Sequence, residues 1–94
     1  MKSKINLSNL ASHIYEQHFN DKVFSINDHC LRIAVNDNNI FPWHRHNQTD
    51  ELFIVLEGNL KIEFENGELI DLLPSDSFCV NAGLTHRTIA VGRT

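Results

Sequence analysis

From Glu51 to Val80 the chain reads ELFIVLEGNLKIEFENGELIDLLPSDSFCV, the stretch that most narrows the folds open to it. Short runs of branched and aromatic residues are cut by turn residues at Gly58, Asn66-Gly67, Pro74-Ser75-Asp76 and, just beyond, Asn81-Ala82-Gly83. In LKIEF, Leu60, Ile62 and Phe64 alternate with Lys61 and Glu63, the period of a strand with one buried face. Asn66-Gly67 predicts a hairpin with a two-residue type I′ turn, because both central residues of that turn need positive φ. ELIDLL is then the partner strand, SFCV another, and HRTIAV the last. Upstream, VFSIN from Val23 and CLRIAV from Cys30 have the same character, and Asp37-Asn38-Asn39 is a further turn signal. Strands recurring about every ten residues favour an all-β sandwich or closed barrel over βαβ units.

The N-terminal region follows another period. Leu7, Leu10, Ala11, Ile14 and His18 recur at helical spacing, which predicts an amphipathic helix over about 7–19, capped by Asn6 or Ser8 and ended by Asn20-Asp21. With 94 residues, 41% of them apolar, the chain suits a single domain, 1–94, with the β-rich part at about 23–92. A net charge of −4 with only 8 Lys and Arg gives no basic stripe for nucleic acid. No apolar run approaches a membrane span, and MKSKINLSNL has no apolar h-region, so a cytoplasmic protein is expected. Cys30 and Cys79 lack CxxC spacing and read as reduced, half-buried thiols.

Chemistry concentrates in PWHRHNQTDE, residues 42–51. On a strand, residues i and i+2 share a face, so His44 and His46 present two imidazoles to one side. A tight connection through 47–50 brings Glu51 beside them, adding a hard oxygen to two borderline nitrogens. Far along the chain, His86 follows a Gly-containing turn and opens a strand. From the residues alone a second account stands beside this one: a chance histidine pair, solvated loop acids and a half-exposed strand-end histidine. His13, His18 and His29 lack such a context and read as surface residues.

The spacing resembles that of the cupin superfamily. Its first motif runs glycine, five residues, HxH, three or four residues, glutamate, six residues, glycine. Here the matching positions are Asn38, His44-Arg45-His46, Glu51 and Gly58. Asn, which tolerates a left-handed backbone best after Gly, replaces the first glycine. The second motif runs glycine, five residues, proline, one residue, glycine, two residues, histidine, three residues, asparagine. Gly83 and His86 match it, while Ser75, Asn81 and Ala90 stand where glycine, proline and asparagine are usual. The similarity spans roughly 31–91. PWHRHNQTDELFIVLEG after a helix is most similar to the small cupins labelled mannose-6-phosphate isomerase-like.

The resemblance implies a cupin-type jelly-roll β-barrel (a double-stranded β-helix) with a short N-terminal α-helix. It implies that His44, His46, Glu51 and His86 converge on one divalent transition metal, for which Fe, Mn, Ni, Co, Cu and Zn all qualify, with one or two positions left for a small-molecule ligand. It also implies a further strand after HRTIA, where this sequence has VGRT; the edge there would be open, covered by another chain, or completed by residues beyond Thr94.

Strand phase then outlines a pocket. From Glu51, Phe53 and Val55 point inward; from His86, Thr88 and Ala90 do. Arg45 and Arg87, each one residue from a ligand, face away. Such an interior is apolar apart from the metal. It lacks the general base and the cationic anchor that a sugar-phosphate isomerase needs, and suits a partly apolar or aromatic molecule. The expectation is a metalloenzyme of dioxygenase- or isomerase-like type, with a non-catalytic small-molecule-binding module as the alternative. Leu52, Ile54 and Leu56 make the other face of the same strand apolar too, where a barrel exterior should be polar. A homodimer through that outer face is therefore expected.

Overall fold

The computed structural model describes residues 4–94. One helix, α1 (Leu7–Ala11), precedes eight strands: β1 (His18–Ile26), β2 (His29–Asn36), β3 (Ile40–His44), β4 (Glu51–Ile54), β5 (Asn59–Phe64), β6 (Leu69–Leu72), β7 (Ser77–Val80) and β8 (His86–Val91). All pairings are antiparallel. A four-stranded sheet has the order β3-β8-β5-β6, and β1-β2 and β4-β7 form two-stranded ribbons. The fold is all-β, a jelly-roll barrel with a short N-terminal helix.

The core sits where the sequence alternation puts it. Leu60, Ile62 and Phe64 of β5 pack with Val55, Leu72, Val80 and Ala90, and the partly buried Phe53, Ile70 and Phe78 close around them. Burying a side chain of this size contributes about 1.5–3 kcal/mol. The intervening residues of β5 point out and find charged partners: Lys61 Nζ lies 3.1 Å from Asp71, and Arg87 Nε 2.6 Å from Glu63. The Arg87 guanidinium also stacks 4.8 Å over the Trp43 ring, on the outside of the barrel.

The predicted helix over 7–19 is one turn and a half long and stops at Ala11. Asn6 caps it, its Oδ1 accepting from Asn9 N–H at 2.9 Å. Beyond it, the Arg93 guanidinium collects the carbonyls of Ala11 and Ile14, at 2.6 and 2.9 Å, so these oxygens are satisfied without a continuing helix. His18 and Phe19 belong instead to β1, whose ladder with β2 runs from His18↔Asn36 to Ile26↔His29. Tertiary pairing overrides the helical spacing of a few apolar residues.

The Asn66-Gly67 hairpin also differs from a type I′ turn. Gly67 N–H donates to Phe64 C=O at 3.0 Å and Phe64 N–H to Glu68 C=O at 2.9 Å, so the loop holds three residues and ends in a bulge. Only Gly67 takes positive φ, +88°. Asn66 keeps negative φ and uses its Oδ1 to accept from Glu68 N–H at 2.9 Å. The run ELFIVLEG is a strand only to Ile54. Gly58, at φ +89°, lies so close to the C-terminal segment that a Cβ there would meet the Arg93 carbonyl at 2.2 Å.

Candidate metal centre

Three strand ends bring the site together. β3 ends at His44, β4 begins at Glu51 and β8 begins at His86, with His44 and His86 directly paired across the β3–β8 ladder. The connection 47–50 is tied down on the 81–83 turn: Gly83 N–H donates to His46 C=O at 2.7 Å, and Asp50 Oδ1 accepts from Ala82 N–H at 2.8 Å. Asn38 and Ser75, which replace motif glycines, keep the left-handed backbone, at φ +46° and +76°. Asn38 adds an anchor, its Oδ1 accepting from Gly92 N–H at 2.7 Å.

His44, His46, Glu51 and His86 each offer one ligand atom, and these atoms all lie within 4.8 Å of one another. The four residues selected by spacing are therefore one cluster. His46 reaches it from the loop after β3 and not from a strand, as the i, i+2 reading assumed. The ring centroids of His44 and His46 are nonetheless 5.2 Å apart, and those of His44 and His86 4.4 Å.

Hydrogen bonds outside the cluster orient the imidazoles. His44 Nδ1 lies 2.8 Å from Pro42 C=O, and His86 Nδ1 2.9 Å from Leu84 C=O. A carbonyl can only accept, so each Nδ1 carries the proton and each Nε2 is left with its lone pair toward the centre. His86 is fully buried, 0% exposed. Its Nε2 and Glu51 Oε1 are both buried and without a hydrogen-bond partner, yet stand 3.4 Å apart. His46 Nε2 is also 3.4 Å from Glu51 Oε1. Imidazole nitrogens and a carboxylate oxygen that converge while the buried pair finds no hydrogen-bond partner make a donor set that fits a divalent transition metal.

The cluster opens on a cavity of about 1330 Å³. Phe53, Val55 and Thr88 are among the residues that border this cavity. The Phe53 ring sits edge-on to His86 at 6.4 Å, and Val55 is part of the core. Arg87 faces away, as expected, whereas Arg45 borders the cavity. The interior is not apolar apart from the cluster: His18, Asn20, Arg32 and Asn36 of the β1–β2 ribbon also line it. His18, read from sequence as a surface residue, lies against Phe41 at 5.4 Å between ring centroids, and Phe41 lies edge-on to His44 at 5.0 Å. The missed signal is two-residue alternation, His18-x-Asn20 and Arg32-x-Ala34-x-Asn36, which puts these side chains on one face. Cys30 and Cys79 are both unpaired, and exposed where half-burial was expected.

Residues 32–94 match the cupin domain family Cupin_2, and the chain belongs to the cupin superfamily. It is 42% identical over 94 residues to the uncharacterised protein YdbB of Bacillus subtilis (strain 168), covering all of this chain and 82% of that protein. Among solved structures, a cupin-2 domain containing protein from Shewanella frigidimarina superimposes with a TM-score of 0.86 at 28% identity, over 95% of this chain and 85% of that one. A cupin superfamily protein from Desulfitobacterium hafniense shares the fold, with a TM-score of 0.81 at 21% identity over 99% of this chain and 84% of that one.

Proposed function

We propose that this cupin holds one divalent transition metal on His44, His46, Glu51 and His86 and uses an open coordination position to act on a small molecule. The observation that carries the reading is the buried, unpartnered pair of Glu51 Oε1 and His86 Nε2, 3.4 Å apart. Leaving a buried polar atom unsatisfied costs about 1–3 kcal/mol, and a shared cation removes that cost for both at once. Bound there, the metal supplies a Lewis acid for an oxygen-bearing ligand. The chain's own residues orient the imidazoles through Pro42 and Leu84, exclude water with Phe53 and Val55, and offer Thr88 as a hydroxyl in the pocket. With Phe53 and Val55 apolar and His18, Asn20, Arg32 and Asn36 polar, the lining supports a dioxygenase- or isomerase-like reaction on a small molecule with both apolar and polar parts. The resemblance of PWHRHNQTDELFIVLEG to mannose-6-phosphate isomerase-like cupins is what supports the isomerase branch. A non-catalytic binding module is the second reading, favoured by the commitment of Asp50 to Ala82 N–H, which takes up the acid nearest the cluster in sequence.

Elemental analysis of protein purified without a histidine tag, after metal loading, tests the site. Wild type is expected to hold one metal per chain, and His86→Ala or Glu51→Ala to weaken affinity by at least about 100-fold. Full occupancy in either variant removes that residue from the ligand set. Turnover by the loaded protein then separates the enzyme from the binding module.

Two further proposals concern setting. Leu52, Ile54 and Leu56 are 62, 56 and 52% exposed, and α1 packs on β2, so the helix leaves this apolar face uncovered and a second copy is the proposed cover. The cytoplasm is the proposed compartment. Among the described residues no helix is long and apolar enough to cross a membrane, and two free, exposed thiols suit reducing conditions.

A further inference from the structure

The β1–β2 ribbon has two unlike faces. Its register pairs His18 with Asn36, Asn20 with Ala34 and Lys22 with Arg32. Alternation puts His18, Asn20, Arg32, Ala34 and Asn36 on one face and Phe19, Ile33 and Val35 on the other. On β1, His18 and Asn20 border the cavity that holds the histidine cluster and Phe19 does not; on β2, Arg32, Ala34 and Asn36 border it together with Ile33 and Val35.

Its polar groups are preset. Arg32 Nε donates to Asn20 Oδ1 at 2.6 Å, which fixes the guanidinium plane and turns its two terminal nitrogens away from that bond. Arg87 and Arg93 are each paired with a glutamate, but among the described residues Arg32 has no carboxylate partner. His18 Nδ1 is hydrogen-bonded to Asn36 Oδ1, an acceptor, so Nδ1 carries the proton and Nε2 is free to accept. The amide nitrogens of Asn20 and Asn36 remain as donors. The face is continuous with the candidate metal centre through ring contacts, His18 tilted against Phe41 and Phe41 edge-on to His44. Asn20, which holds the guanidinium, is two residues from His18, roughly 7 Å along the strand. From His18 to His44 the ring centroids run a further 5.4 and 5.0 Å through Phe41, so a molecule that joins the guanidinium to the cluster must be extended.

We propose that this face is a ligand-recognition wall. Arg32 takes the carboxylate or phosphate of a small hydroxylated molecule whose other end reaches the metal, and Asn20, Asn36 and His18 Nε2 bond the hydroxyls between. A planar fork with both terminal nitrogens free is the group that recognises such anions in bidentate fashion. The wall rests on the metal reading only for the far end of the ligand, and its own residues act without the ion.

Calorimetric titration with D-gluconate, D-glucose 6-phosphate and neutral D-glucitol tests it, on metal-loaded and on chelator-treated protein, with metal content measured separately. At least one anion should bind about tenfold or more tightly than glucitol, and Arg32→Gln should erase that preference. Arg32→Lys, which keeps the charge without the fork, should retain part of it. The two anions separate a carboxylate site from a phosphate site. Arg32-dependent anion preference in protein that takes up no metal would uphold the wall while removing the metal reading. Equal binding of all three probes, or a preference lost in Arg45→Gln and kept in Arg32→Gln, would overturn the wall whatever the metal content.

Discussion

Strands β5 and β4 obey the same rule on the inside of the barrel and opposite rules on the outside. Inward, β5 supplies Leu60, Ile62 and Phe64, and β4 with its extension supplies Glu51, Phe53 and Val55. Outward, β5 presents Lys61 and Glu63, each with an opposite charge on the neighbouring strand. β4 presents Leu52 and Ile54, more than half exposed although they too border the cavity, with Leu56 just beyond. The exterior of β5 is composed to meet water, and that of β4 to meet another apolar surface. The contrast is informative because burial of the inward residues cannot explain it: only the outward positions differ.

The inner half of the comparison predicts the largest effect. Ile62 is 0% exposed at the centre of β5. Ile62→Ala is expected to lower unfolding stability by about 2–5 kcal/mol, read from denaturant midpoints. A loss under about 1 kcal/mol would mean that β5 does not anchor the core.

The outer half predicts a change in assembly with little change in the fold. Ile54→Lys, on the exposed face of β4, should leave the stability of the single chain within about 0.5 kcal/mol. Light scattering after size exclusion should show wild type at twice the chain mass and the variant at the chain mass. A wild-type monomer at micromolar concentration, or a variant that still doubles, would mean that the apolar exterior of β4 covers no dimer contact.

What was legible in the sequence follows the same division. β5 could be read because alternation and the bounding turns agree with its burial, and the four cluster residues because motif spacing survives the replacement of two glycines by Asn38 and Ser75, both of which still adopt the left-handed backbone. The N-terminal third was misread. Helical spacing at Leu7, Leu10, Ala11 and Ile14 drew His18 into a helix, although Arg93, far away in sequence, takes the carbonyls that would have continued it. The register of β1 on β2 is also interrupted between Lys22 and Phe24, which hides the alternation that places Asn20 and Arg32 on the cavity side. Long-range pairing settles these points, and local pattern does not contain it.

The smallest effect concerns the water-facing exterior of β5 itself. Asp71 on β6 is paired with Lys61 in the ladder, and its Oδ1 accepts from Asn59 Nδ2 at 2.6 Å and from Lys61 Nζ at 3.1 Å. The Asn59 hydrogen bond first, and Lys61 second, hold the carboxyl below its ordinary value of 3.8. A carboxyl whose folded value is depressed stabilises the fold above its unfolded value and loses that contribution as pH falls through the folded one. Asp71→Asn should therefore melt slightly below wild type at pH 7, and the gap should close as pH drops under about 4. Salt should narrow the gap at neutral pH, because exposed charges are screened. A gap that stays constant from neutral to acid would assign the effect to the hydrogen-bond geometry of the side chain, and the outward charges of β5 would then be needed for solubility alone.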